Sequence, residues 1–254
     1  MDTSTVAVIT GASRGLGLAM AGQLLAAGAT VITLARGTSP ALAETAQRHG
    51  ARLQQLQADL SRPASIESAA GLMSAALPGG ASHYLLLNNA GTVDPVSLTN
   101  GLFDAESIET AFNLNVVAAM VLTAAFLRST PPDADRRIVN ISSGAGRSPT
   151  AGWPVYCATK AALDHYTRVL AEENPHLRVA AVAPGVIDTD MQIHIRGSDR
   201  GQFPDLDRFL QLHEQGQLAS PESTASRILQ HVASDRFGHE ILDDIRNYDI
   251  PSQT

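Results

Sequence analysis

The sequence predicts an α/β fold, a doubly wound parallel sheet of about seven strands with helices on both faces. Three observations carry this. Short runs such as Tyr84-Leu85-Leu86-Leu87 are apolar without alternation, as strands covered on both faces must be. Longer segments with helical spacing lie between them, and this strand–helix alternation calls for right-handed crossovers. Directly behind the first run stands the glycine-rich turn Thr10-Gly11-Ala12-Ser13-Arg14-Gly15-Leu16-Gly17, which hands a strand over to a helix.

In chain order, 6–10 reads as a strand and leads to a helix ending near residue 27. Strands at 30–35 and 53–57 flank a helix at 41–48. A helix at 64–76 precedes the apolar strand 83–88. A long helix at 105–127, strand 138–141 and helix 155–173 follow, and then strand 179–183. Segment 188–217 is rich in charge and glycine and reads as irregular, with the character of a lid. Helix 221–234 and strand 240–242 complete the pattern. No internal repeat or linker interrupts it, so residues 1–254 read as one domain.

The formal charge is −7, and no basic cluster exceeds Arg136-Arg137, which speaks against nucleic-acid binding. One cysteine excludes an intrachain disulfide, and no Cys/His spacing suits a metal. Met1-Asp2-Thr3-Ser4-Thr5 has no basic leader region, so a cytoplasmic protein without a signal peptide is expected. Residues 110–127 carry no charge, but Thr110, Asn113, Asn115 and Thr123 interrupt them. The stretch reads as a buried helix and not as a membrane span.

Lys160 is the only lysine beside seventeen arginines, and it stands four residues after Tyr156. On a helix the two share a face, and a nearby cation favours the phenolate. In the turn, Gly11, Gly15 and Gly17 permit close approach of backbone N–H groups to a pyrophosphate, with Ser13, Arg14 and Leu16 between them. A carboxylate commonly closes the second strand of NAD-binding Rossmann proteins. Here Thr33-Leu34-Ala35-Arg36 ends in a cation that suits the 2′-phosphate of NADP, and Arg14 could assist. The alternative is two solvated surface arginines. Asp59, followed by Leu60, could accept from an adenine amino group or cap the next helix. Asn88-Asn89-Ala90-Gly91 closes strand four in a turn that lets a cofactor lie close. Asn115 is costly inside an uncharged helix unless hydrogen-bonded; it holds a water or a backbone kink, or is a satisfied core amide. Of Ser142 and Ser143 only one can face the site. Trp153 either walls a pocket or packs. Cys157 reads as a small core residue, and none of the eight histidines shows a catalytic pairing.

Taken together, TGASRGLG, NNAG, the helix Asn, a Ser thirteen residues before Tyr, YxxxK and PGVIDT resemble the short-chain dehydrogenase/reductase family over nearly the whole chain. The resemblance implies Ser143 as substrate-orienting hydroxyl, Tyr156 as general acid/base, Lys160 as ribose-holding cation and Asn115 as water-holding relay. It places Pro184, Gly185, Ile187 and Thr189 near the nicotinamide. The implied reaction is hydride transfer from NADPH to a carbonyl, with Tyr156 protonating the alkoxide. IVNISSGAG, GWPVYCATKAAL, PGVIDTDMQIHIR and DLDRFLQLHEQGQLASPE are similar to bacterial benzil reductases and, more loosely, to sepiapterin reductases. That implies a bulky, uncharged 1,2-dicarbonyl substrate, with Met191 among the apolar residues of the lid. Rival expectations are 3-oxoacyl carrier-protein reduction and a catalytically silent NADPH-binding scaffold. The chain ends without the Asp-Gly-Gly turn of many members. That departure, with the uncharged helix, favours a homodimer through 105–127 and 155–173 over the tetramer common in the family.

Overall fold

Six consecutive buried residues, Thr5–Thr10, form the first strand, β1, uninterrupted by polar alternation because both sheet faces are covered. The computed structural model describes residues 4–248, so the leader expectation, read from residues 1–5, lies partly outside the described residues. After β1 come α1 (Gly15–Ala26), β2 (Thr30–Ala35), α2 (Pro40–His49), β3 (Leu53–Gln57), α3 (Pro63–Ala76) and β4 (His83–Asn88). Then follow α4 (Ala105–Phe112), a π-helical turn (Asn113–Val117), α5 (Ala118–Ser129), β5 (Asp135–Ile141), α6 (Pro154–Glu173) and β6 (Arg178–Ala183). The chain continues through α7 (Asp190–Arg196), α8 (Leu206–Glu214), α9 (Pro221–Ala233) and β7 (Leu242–Asp244).

All seven strands are parallel, in the order β3-β2-β1-β4-β5-β6-β7. The order reverses between β1 and β4, and a ligand crevice forms outside the strand ends at such a switch point. Alternate residues of β1 feed two cores. Ala7 and Ile9 pack with Met20, Leu24, Ile228 and Val232 under α1 and α9. Val6 and Val8 pack with Ile66, Met73, Leu122 and Phe126 under α3 and α5. Each fully buried side chain of this size stabilises by about 1.5–3 kcal/mol.

The continuous helix Ala105–Ser129 has the length and apolarity of a membrane span, yet it lies on the sheet with Ala118, Leu122, Ala125 and Phe126 in the core. Segment 188–217 is more ordered than its composition predicts. Leu206, Phe209 and Leu210, spaced i, i+3, i+4, turn one face of α8 inward, and Asp190 opens the short helix α7. The last strand is shifted from 240–242 to Leu242–Asp244. The shift buries Asp243, whose carboxylate meets His231 Nε2 at 2.8 Å and accepts the Tyr248 hydroxyl at 2.7 Å. No apolar pattern announces a strand built around a satisfied carboxylate.

Candidate active site

A cleft of about 1090 Å³ runs across the C-terminal ends of the strands. Its floor at the switch point is made of backbone. Gly11 and Gly15 take φ of +69° and +56°, where a side chain is strained. A Cβ on Gly17 would stand 2.4 Å from the Gly11 carbonyl oxygen, so only glycine lets α1 start this close. Thr10 Oγ1 accepts the N–H groups of Asn89 and Ala90, each at 2.9 Å, and Asn89 Nδ2 donates to Thr10 O at 2.9 Å. These bonds tie the turns after β1 and β4 together. Gly11, Ser13, Arg14, Gly15, Leu16, Asn89, Ala90 and Gly91 all line the cleft.

Two predicted cofactor residues do not line it. Gly17 is packed beneath the loop and acts through its missing side chain. Asn88 points into the sheet interior, its Nδ2 donating to Asn140 Oδ1 at 2.9 Å and Thr123 Oγ1 at 3.2 Å. Consecutive strand residues face opposite ways, so Asn88 and Asn89 divide the core from the site.

At the β2–β3 end, Arg36, Asp59 and Leu60 line the cleft. Among the described residues Arg36 forms no ion pair. Asp59 Oδ1 accepts from the Ser61 N–H and hydroxyl at 3.1 and 2.7 Å, which, with the charges of Arg36 and Arg62, lowers its pKa against desolvation. It does not cap α3, whose N-cap position is Arg62. Arg14 is not free: its guanidinium pairs with Asp190 on α7 at 3.0 Å, both side chains exposed.

At the β5–β6 end, Ser142 and Ser143 divide as strand geometry requires. Ser142 donates to the buried Asp164 at 2.5 Å, and Ser143 lines the cleft beside Tyr156. Gly146 lets this turn press on α6, since a Cβ there would meet the Lys160 carbonyl carbon at 2.8 Å. Tyr156 and Lys160 share the inner face of α6, with Nζ 5.6 Å from the ring centroid. Lys160 is 4% exposed, and its Nζ donates to Ile141 O at 2.8 Å. Burial pulls the ammonium down to about 8, against the opposing charge of Asp164. The expectation that the cation lowers the Tyr156 pKa is not met in the free protein. Burial raises the phenol, and the Ser143 hydrogen bond only partly opposes it.

Asn115 sits in the π-helical turn, away from the cleft. Its Oδ1 accepts the Thr92 N–H at 2.8 Å, and its Nδ2 donates to Thr92 O at 2.9 Å and Thr159 Oγ1 at 3.0 Å. The side chain joins the turn after β4 to α6 and leaves neither amide proton for a water. Pro184, Gly185, Ile187, Thr189 and Met191 line the cleft opposite. Trp153 both packs and walls: it stacks on Phe203 at 4.8 Å, meets Tyr156 edge-on at 5.4 Å and lines the cleft. Cys157 is half-buried against this aromatic cluster and not in the core.

Several lining residues escape sequence reasoning, among them Asp94, His194 and Arg246. His194 Nε2 lies 2.7 Å from Asp94 Oδ1 at the cleft mouth, while the other histidine–carboxylate pairs among the described residues, His231–Asp243 and His83–Asp135, lie outside the cleft.

The residues present fit a dinucleotide: a glycine loop at a helix N-terminus, an unpaired cation after β2, and a cleft long enough to reach Lys160. The chain matches the family described as short chain dehydrogenase over residues 5–199. It is 36% identical to a benzil reductase ((S)-benzoin forming) of Bacillus cereus, covering 91% of this chain and 94% of the relative. It is 35% identical to sepiapterin reductase of Bos taurus, covering 92% and 91%. A short-chain dehydrogenase from Sphingobium yanoikuyae, solved in complex with NADPH, superposes with a TM-score of 0.73 at 28% identity, covering 94% and 87%. With its parallel sheet, its glycine turn and the shared face of Tyr156 and Lys160, the chain belongs to the short-chain dehydrogenase/reductase family of oxidoreductases.

Proposed function

We propose that the protein is an NADPH-dependent carbonyl reductase acting on ketones and 1,2-diketones. One observation carries the reading most directly. Ser143, Tyr156 and Lys160 converge in one cleft with the glycine loop and with Arg36, which forms no ion pair among the described residues. NADPH, when bound, supplies the hydride. The glycine loop with Ser13, Arg14 and Leu16 holds its pyrophosphate, Arg36 its 2′-phosphate, and Asp59 with Leu60 its adenine. Asn89, Ala90, Gly91, Lys160, Pro184, Gly185, Ile187 and Thr189 hold the ribose and nicotinamide.

Ser143 donates a hydrogen bond to the substrate carbonyl and stabilises negative charge as it develops. Tyr156 gives its proton to the alkoxide oxygen. Burial keeps the phenol protonated at neutral pH, and the alkoxide is far more basic than a phenolate, so the proton moves downhill. The Lys160 ammonium favours the phenolate left behind. Asn115 is a positioning residue: by fixing Thr92 to Thr159 it sets α6, and so Lys160, against the turn after β4. Trp153 and Met191 contact the substrate.

Helices α7 and α8 form a lid over this end, a reading supported by Phe203 and Phe209 stacked around Trp153. A homodimer is supported by Met120 on α5 and Val169 on α6, each an apolar side chain 42% exposed. Light scattering at twice the chain mass is expected for the dimer, and a monomer would reject it. The activity is tested with NADPH and a panel of ketones, benzil-like diketones and acyl thioesters, with chiral analysis of the products. Reduction of diketones to hydroxyketones is expected. Inert diketones beside active thioesters would reject the substrate class.

A further inference from the structure

The cleft presents its lining in sheet order, and that order locates a residue with no assigned part. From one edge to the other the lining runs Asp59 after β3, Arg36 after β2, Gly11 after β1, Asn89 after β4, Ser143 after β5 and Pro184 after β6. It ends with Arg246, just after β7. Arg36 and Arg246 therefore mark opposite ends, and the reacting groups stand between them. Beyond Ser143 and Pro184, Arg246 stands past the reacting groups, at the end of the cleft farthest from Arg36.

The register makes this specific. Ile141 is abreast of Val182, and Val182 of Asp243. Just past these paired residues Ser143, Pro184 and Arg246 all line the cleft, and Arg246 packs beside Gly185. Two strand spacings separate the Ser143 and Arg246 positions, about 10 Å. Gly185 takes φ +80°, and a Cβ there would stand 3.4 Å from Arg246 Cδ and 3.6 Å from Cγ. The Arg246 stem thus runs over the bare backbone of Gly185, inside the cleft wall.

The guanidinium is aimed. Asp244 Oδ1 accepts from Nε at 2.9 Å and Oδ2 from Nη2 at 2.6 Å, which fixes one edge of the fork. Among the described residues the Nη1 edge has no partner, and the side chain is 62% exposed. A planar fork with one edge clamped by a carboxylate keeps a second edge for another. Of the other charged residues that line the cleft, His194 meets Asp94 and Arg14 meets Asp190, while Arg208 lies over the Phe209 ring.

We propose that Arg246 sets the substrate class of this reductase, selecting carbonyl compounds that carry a carboxylate on the portion remote from the reacting carbon. The proposal rests on the carbonyl-reductase reading of the same site and replaces the expectation of an uncharged substrate. Its test compares benzil with 4-carboxybenzil in the unmodified protein, Arg246→Gln and Arg246→Lys. The ratio of kcat/KM for the acid over the neutral diketone should fall about tenfold in Arg246→Gln, the scale of one partly exposed charge-assisted contact. Arg246→Lys should recover part of that ratio. The acid should also give mainly one of its two hydroxyketone regioisomers, a bias that Arg246→Gln erodes. Binding is read separately through quenching of Trp153, the single tryptophan of the chain. If neither diketone is reduced, the carbonyl-reductase reading fails, and the quenching ratio still decides Arg246. Equal acid-to-neutral ratios in the unmodified protein and Arg246→Gln, in turnover or in quenching, overturn the proposal.

Discussion

The two ends of the cleft are built from different materials. At the glycine-loop end the walls are main chain, drawn from residues 10–17 and 88–91, and the tolerances are those of backbone on backbone. The absent Cβ of Gly17 leaves room that any side chain would close, 2.4 Å from a carbonyl oxygen. At the lid end the walls are side chains from segments far apart in sequence. Trp153 meets Phe203 and Phe209, and Asp94 meets His194 across a separation of 100 residues. Backbone-built geometry depends on a few neighbouring residue types, whereas side-chain geometry depends on how whole segments pack. The first accommodates one cofactor shape, and the second can be retuned for different substrates.

The largest expected effect falls where the two ends join. Tyr156→Phe should lower kcat by roughly 10³-fold, the scale of a lost general acid, while NADPH titration shows binding retained. Lys160→Arg should also be severely impaired, because a planar fork cannot take the place of a buried, single-point ammonium. Near-normal kcat in Lys160→Arg would break the distinction between a fitted site and a merely cationic one.

Arg36→Asp probes the cofactor end alone. The ratio of kcat/KM with NADPH to that with NADH should drop by about 10- to 100-fold, as a carboxylate repels a 2′-phosphate and accepts from a free 2′-hydroxyl. KM for the carbonyl substrate should not move. A change in substrate KM would show that the ends are coupled.

The pH dependence sharpens the junction further. Lys160 is cationic below about 8 and neutral above it, so reduction should decline as pH rises through 8. Asp164→Asn should move that limb to lower pH, because the charge that opposes desolvation of Lys160 is gone. The sign for stability is opposite. The folded pKa lies below the unfolded value of 10.5, so the unfolded chain binds more protons between about 8 and 10.5, and stability rises with pH across that window. Lys160→Met should therefore be inactive yet more stable at pH 7 by on the order of 2 kcal/mol, read from chemical denaturation.

The smallest effect is expected at the lid. Asp94 and His194 are each 54% exposed, so Asp94→Asn should cost below about 1 kcal/mol, visible as a salt-sensitive rise in substrate KM with kcat preserved. A loss of kcat would mean the lid contact reaches the reacting groups.

The division between the two ends also sets what the sequence could disclose. The alternation of strands and helices along the chain, the glycine loop and the face shared by Tyr156 and Lys160 follow from local periodicity and spacing, so they were legible. Strand alternation let only one of Ser142 and Ser143 face the site, and the family resemblance pointed to Ser143. Asn88 was misplaced because a motif of four residues does not say which ones face the ligand. The shift of β7 was hidden because Asp243 is a strand residue satisfied by His231 and Tyr248, partners set by tertiary packing. Arg246 and Asp94 were invisible for the same reason: their places depend on β7 joining β6 and on α7 crossing the cleft. The depressed Lys160 pKa needed burial, which no i+4 spacing encodes.

Lys160 is the one lysine of the chain, and it is 4% exposed on the inner face of α6. A protease that cuts only after lysine therefore has a single site, closed while the helix is seated. Cleavage into fragments 1–160 and 161–254 can begin only when α6 lifts from the sheet, so its rate counts openings of the catalytic helix one by one. Ligands that lean on Tyr156 and Lys160 should slow that digestion in proportion to their occupancy, giving a gel-based titration that needs no turnover at all.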